Sequence, residues 1–263
     1  MKYIVYIAAV IISSTIFTSC TKVIDANLDE SPSLLIIEGG VPDSAKPWVR
    51  ITRMVDVERD NNFPGVTGAV VTITDNAGNS TQLLQSAQGT YFGSTIIGVP
   101  GRTYTLKVEL DGKVYTSAST MPVKVFIDSL TVDDFGFGGP ANENLLPVLN
   151  YTDPAGLGNN YRAVLWHNDT LRTDIFIEDD KYADGNSREA LLFSQDYRLK
   201  KGDRFVIELQ CIDKAVYDYF TVLLEVDGSS GLASPANPSS NITGGALGYF
   251  SAYTAISMEK VVE

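Results

Sequence analysis

Apolar and polar residues alternate with a period of two along most of this chain, the spacing at which an extended strand buries one face and wets the other. Trp48, Arg50, Thr52 and Met54 fall opposite Val49, Ile51, Arg53 and Val55. Phe205, Ile207, Leu209 and Cys211 share one side of their run, and Leu247, Tyr249, Ser251 and Tyr253 alternate with Gly248, Phe250 and Ala252. These patterns predict strands over 34–38, 48–55, 69–75, 82–85, 103–110 and 114–120. A second set is predicted over 125–132, 147–152, 161–167, 171–178, 190–194, 205–212 and 246–261. Asp75 to Asn79 is a turn-rich connection, and Asp111-Gly112 is a strong short-range hairpin signal. Met121-Pro122 closes the first set, because proline cannot donate to a ladder.

One stretch has helical spacing instead. Asp213 can cap a helix over 213–227, Val216, Tyr219, Phe220, Leu223 and Val226 form one stripe, and Gly228 can end it. A stripe this rich in aromatics predicts packing against a sheet. The long Gly, Ser, Pro and Asn loop 228–245 follows; loops of that length are commonly functional or disordered. The predicted class is therefore all-β with one helix, in two β-sandwich domains, 34–121 and 123–263. The first domain resembles immunoglobulin-like or prealbumin-like modules through the order of Gly68–Asp75, Gly89–Phe92 and Pro100–Leu106. That likeness concerns fold alone.

Residues 1–19 read as a secretory signal: Lys2, then the apolar run 3–12, then small residues ending at Ser19. The apolar part is shorter than the roughly 20 residues a spanning helix needs. Cys20 at its exit resembles the lipobox cysteine of bacterial lipoproteins, with Thr18 and Ser19 suited to cleavage and Phe17 standing where that pattern prefers leucine. The resemblance implies lipid on Cys20 and a tether over 20–33. The alternative is an ordinary signal cut near Ser19, with Cys20 a bystander. Lys22, Val23 and Ile24 precede the first acid, Asp25, so the likeness to the acidic surface-export signal of Bacteroidota lipoproteins is partial.

Composition narrows the partners. The chain has 263 residues, 44% hydrophobic and 20% charged, enough to bury sizeable cores. Its net charge of −12 becomes −13 once residues 1–19, whose single charge is Lys2, are removed. Such a surface repels phosphate backbones and anionic lipid alike, so no nucleic-acid partner is expected, and attachment to a membrane must be covalent or through a protein. With Cys20 acylated, Cys211 has no mate, and its place on the apolar side of a strand predicts a buried, inert thiol.

The candidate chemistry is sparse. Glu178, Asp179, Asp180, Asp184 and Asn186 make the densest acidic cluster, but their spacing does not fit an EF-hand loop. The expectation over 178–186 is a solvated loop, with calcium the alternative. His167 is the single histidine; Trp166 and His167 point to opposite faces, and Asn168-Asp169 makes a turn. Trp48 and Trp166 are read as core. A carboxylate pair for catalysis would be an arbitrary choice among 32 acids. Asp43-Ser44-Ala45, Asp128-Ser129-Leu130 and Asp169-Thr170-Leu171 resemble the acceptor triplet of Bacteroidota O-glycosylation. No catalytic residue, metal site or cofactor is expected.

Three blocks carry a wider resemblance: Val99–Tyr104, Ile212–Tyr219, and Pro235–Ile242 continuing to Gly248-Tyr249-Phe250. Together they resemble the Bacteroidota lipoprotein family known as domain of unknown function 4249. The resemblance implies an outer-membrane lipoprotein, often encoded beside a TonB-dependent receptor; the face expected for this chain is the cell surface rather than the periplasm. The functional expectation is a non-catalytic binding or accessory subunit of such a receptor complex, with a glycan-binding or adhesion module as the alternative. Ser229, Asn237, Ser240, Asn241 and Tyr249, in or beside the long loop, are the expected partner contacts.

Overall fold

The computed structural model describes residues 34–54, 63–134, 144–194, 196–226 and 238–263. The signal, Cys20 and tether lie outside them, as do Val55, most of the loop after Asp134, and the first part of 228–245 including Ser229 and Asn237. Residues 33–263 form one compact unit.

The strands are β1 (Leu35–Pro42), β2 (Trp48–Arg53), β3 (Val70–Asp75), β4 (Ser80–Ala87), β5 (Thr90–Phe92), β6 (Thr103–Leu110), β7 (Lys113–Thr120) and β8 (Ile127–Asp134). They continue as β9 (Leu145–Thr152), β10 (Asn160–His167), β11 (Thr170–Leu171), β12 (Phe176–Asp179), β13 (Ser187–Leu191), β14 (Arg204–Ile212) and β15 (Leu247–Val261). Helix α1 (Lys214–Val226) stands between the last two. Among the described residues the fold is thus mostly β with one helix, as the periodicity predicts. No described helix is long and apolar enough to cross a membrane.

Two sheets result. The larger runs β11-β10-β14-β15-β1-β2-β5-β4-β3-β6-β7, with β12 also on β10; the smaller is β13-β9-β8. Alternation does what the pattern requires: Tyr104, Leu106 and Val108 are fully buried while Thr105 and Lys107 face water. Burying such side chains contributes about 1.5–3 kcal/mol each. The Asp111-Gly112 hairpin has both central residues at positive φ, 50° and 75°, the geometry of a tight two-residue turn. Asn168 and Asp169 repeat it at 46° and 64°.

Strand β15 was legible as a strand but not as a seam. Its first half pairs in parallel with β1, from Ile36↔Leu247 to Pro42↔Tyr253, and its second half pairs antiparallel with β14. Phe250 and Ala252 therefore sit in the first core beside Ile37, Val49 and Tyr104, while Ile256 and Met258 pack on the second beside Phe205 and Leu209. The boundary at Met121-Pro122 separates most strands of the two cores, yet Ile242, Ala246, Phe250 and Ala252 return to the first.

The expected strand 171–178 is two. β11 pairs Leu171 with Trp166, whereas β12 pairs Glu178 with Tyr161, a register two residues different. Residues 172–175 absorb that difference, which periodicity alone cannot reveal. The helical stripe packs as predicted: Val216, Tyr219 and Phe220 form a cluster with Ile212 and Tyr249 on the outer face of the large sheet, and Ile175 and Ile177 pack against it. Cys211 is buried; burial pushes its thiol pKa up, and its sulfur accepts from Val125 N–H at 3.3 Å.

Asp75 ties the β3–β4 turn. Its Oδ1 accepts from Ala77 and Asn79 N–H at 3.0 and 2.8 Å, and its Oδ2 from Asn79 Nδ2 and Arg102, each at 2.8 Å. The Asn79 side chain, with those backbone donors and Arg102, holds the carboxyl below its ordinary pKa of 3.8 against the opposing effect of burial. A depressed folded pKa gives stability that is complete above the unfolded value and is lost as pH falls through the folded one. The thermal midpoint should therefore drop more steeply below pH 4 in wild type than in Asp75→Asn. Parallel curves from pH 5 to 2 would show that this carboxylate does not govern acid stability.

Candidate functional site

The expected contact residues within the described structure are turned inward. Ser240 Oγ donates to Gly248 O at 2.8 Å and accepts from Ile242 N–H at 3.1 Å. Asn241 engages Phe250 at both backbone groups, donating to its carbonyl at 2.8 Å and accepting its N–H at 2.9 Å. Tyr249 is 8% exposed and lies 5.2 and 5.0 Å, ring to ring, from Tyr219 and Phe220. Asn241 thus imitates a neighbouring strand, and Tyr249 anchors the helix. Their polar groups and the Tyr249 ring are thus engaged within the chain.

The acidic loop is also not simply solvated. Asp180 is buried, and its Oδ2 accepts from Gly158 and Asn159 N–H at 2.7 and 2.8 Å. Asp153 is buried too, accepting from the Tyr161 hydroxyl and, at 3.0 Å, from Gly185 N–H. Asp184, exposed, accepts from Gly156 N–H at 2.5 Å. Oxygens of these three acids lie within 4.8 Å of one another, a spacing a cation could use. The hydrogen bonds give the group a structural task already: it clasps the 154–159 turn to the 180–186 turn.

His167 is likewise committed, at 2.8 Å from Asp203, and Asn168 donates to the same carboxylate at 2.9 Å. Burial would raise the Asp203 pKa, but the bonds from Asn168 and His167 hold it low. Ser44, Ser129 and Thr170 of the three triplets are exposed.

What remains is a cleft that periodicity did not single out. Between the inner faces of the two sheets, at the edge where β12 and β13 lie, is a cavity of about 180 Å3. Tyr151, Tyr161 and Leu209 line its inner part, Ala190 and Leu192 one wall, and Phe176 and Ile177 the other. Arg188 bonds Glu178 at 2.7 Å across the gap between β13 and β12, both side chains about one-third exposed. The Tyr151 hydroxyl reaches the same Glu178 oxygen at 3.4 Å. Burial first, then the Glu178 charge, pushes the Tyr151 phenol pKa up; burial and the bond to Asp153 raise that of Tyr161. Both phenols stay protonated and serve as hydrogen-bond donors in an otherwise apolar slot. Arg188, paired with Glu178, is held more basic than usual, yet its Nε has no partner among the described residues. The available signal was the pair of inward tyrosines on β9 and β10; Glu178 was visible only as one acid among several.

The geometry can be set beside known proteins. A family model described as Domain of unknown function (DUF4249) matches residues 21–258. No curated protein matches the chain. Among solved structures, the adhesin InvE of Yersinia pseudotuberculosis is 16% identical, covering 68% of this chain and 55% of its own, at a TM-score of 0.20. A "putative carbohydrate binding protein" of Bacteroides uniformis is 9% identical, covering 88% of this chain and all of its own, at a TM-score of 0.22. The chain thus spans about half the length of that adhesin, and neither likeness bears on role.

Proposed function

We propose that this chain, which belongs to the family described as Domain of unknown function (DUF4249), is a non-catalytic binding protein that works through the cleft beside Phe176–Asp179. The observation that carries this reading is the make-up of the cleft, a slot lined mainly by apolar side chains, with the polar groups of Tyr151, Tyr161, Glu178 and Arg188 at its inner end and mouth. Apolar cavities of about 150 Å3 hold a benzene-sized group. At about 180 Å3 this one suits a single aromatic or branched side chain better than a whole metabolite. Lipid on Cys20 and an outer-membrane setting complete the proposal, with a TonB-dependent receptor complex the first place to look for the partner.

Fluorobenzene is a direct probe. Its fluorine resonance should broaden with wild type and stay sharp with Ala190→Phe, which fills the cavity from its wall, at an unchanged thermal midpoint. Crosslinked purification from native membranes should recover a partner with wild type and lose it with the variant. Equal broadening by both proteins would overturn the reading. Glycan-array binding that survives Ala190→Phe would favour the carbohydrate-binding alternative in its place.

A further inference from the structure

The backbone beside the cleft says more about what enters it. Strand β12 pairs on one side only, with β10. Asp180 N–H donates to Asn159 O at 3.2 Å, and antiparallel ladders alternate bonded with non-bonded pairs. In the register Tyr161↔Glu178 and Ala163↔Phe176, these are therefore the bonded pairs, and Ile177 and Asp179 are not bonded to β10. Their N–H and C=O groups point away from the sheet, and among the described residues no backbone group meets them there. The cavity runs along this same edge. Its walls take Phe176 and Glu178 from one face of β12, Ile177 from the other and Ile175 from just before the strand, with Leu224 of α1 beyond.

An unpaired strand edge is a template for another strand. Main-chain bonds supply affinity in such additions, and pockets for alternate side chains supply selectivity. Resting on the cleft reading above, we infer that β12 accepts an extended segment of a partner polypeptide as an added strand, with one aromatic or branched side chain seated in the cavity. Charge defines the rest of the segment. Glu178 and Asp179 stand on β12 and Asp174 just before it, Glu178 paired with Arg188 and Asp174 with Arg172, and the chain carries −12 overall, so lysine or arginine flanking the apolar anchor is the complementary pattern. A small metabolite fits less well, since sites for such ligands usually measure about 300–1,000 Å3.

A short synthetic peptide with lysine at both ends, phenylalanine at its centre, and threonine and valine between is the probe. It should slow amide exchange at Ile177 and Asp179 at least about tenfold. Methylating every second backbone nitrogen of the peptide, in each of the two phases, separates main-chain pairing from side-chain burial. One phase should bind like the parent. The other should bind at least about tenfold more weakly, as expected for about two lost hydrogen bonds. Equal binding by both methylated peptides, or no peptide binding while fluorobenzene still enters, would overturn strand addition and leave the cleft reading standing. Failure of the peptide and of fluorobenzene together would overturn both.

Discussion

Gly248→Ala should cost about 3 kcal/mol or more and unfold both cores together. Gly248 has φ +102°, which side chains rarely adopt, and a Cβ built there would lie 2.1 Å from the Ile37 carbonyl oxygen. That oxygen belongs to the β1 backbone across the parallel pair Ile37↔Gly248, so nothing flexible can yield. Whole domains are stable by about 5–15 kcal/mol, which makes such a loss a large share of the total. Because β15 continues from β1 to β14, displacement at Gly248 reaches both clusters. Urea unfolding followed by near-ultraviolet circular dichroism and by tryptophan fluorescence should give coincident, lowered midpoints. Gly245→Ala is the comparison: φ there is +85°, but no atom lies within 4 Å, so the cost should stay near 1 kcal/mol. Equal losses at the two positions would refute the seam as the reason.

Asp213→Ala is expected to lose about 2–4 kcal/mol, more than a helix cap alone. Asp213 Oδ1 accepts Val216 N–H at 3.0 Å, the bond that closes the first turn of α1. A cap of this kind is worth roughly 1 kcal/mol. Its Oδ2 accepts from the Ser119 hydroxyl, and that oxygen in turn accepts Ala252 N–H at 2.8 Å. Ser119 is 2% exposed, so removal of the carboxylate strands a buried donor at about 1–3 kcal/mol more. A double-mutant cycle with Ser119→Ala measures the link between the β7 hydroxyl and the helix cap. A coupling energy indistinguishable from zero would reduce Asp213 to an ordinary cap.

These two residues show how far the sequence could be read. Asp213 was legible as a cap because capping is local: an acid three residues before the amide it serves, ahead of a helical stripe. Its second bond, to a serine 94 residues earlier, has no local signature. The inward bonds and packing of Ser240, Asn241 and Tyr249 were hidden for the same reason. Their composition and neighbourhood suggested a loop reaching outward, whereas the tertiary structure uses them to fasten that loop to β15. The acids of 178–186 read as solvated until the fold brought Asp153 and the 154–159 turn against them.

Strand positions, the Asp111-Gly112 and Asn168-Asp169 turns, the single helical stripe, the buried Cys211 and the membership of a family were determined by the sequence itself. Each depends on interactions within a few residues or on a period that burial imposes along one strand. Only the tertiary structure decided that β1 and β15 join in parallel across 211 positions of chain, that β12 slips two residues from β11, and that a cleft opens beside an unpaired edge. Those outcomes are set by which strands meet and in what register, and a side-chain period of two is satisfied equally by many pairings.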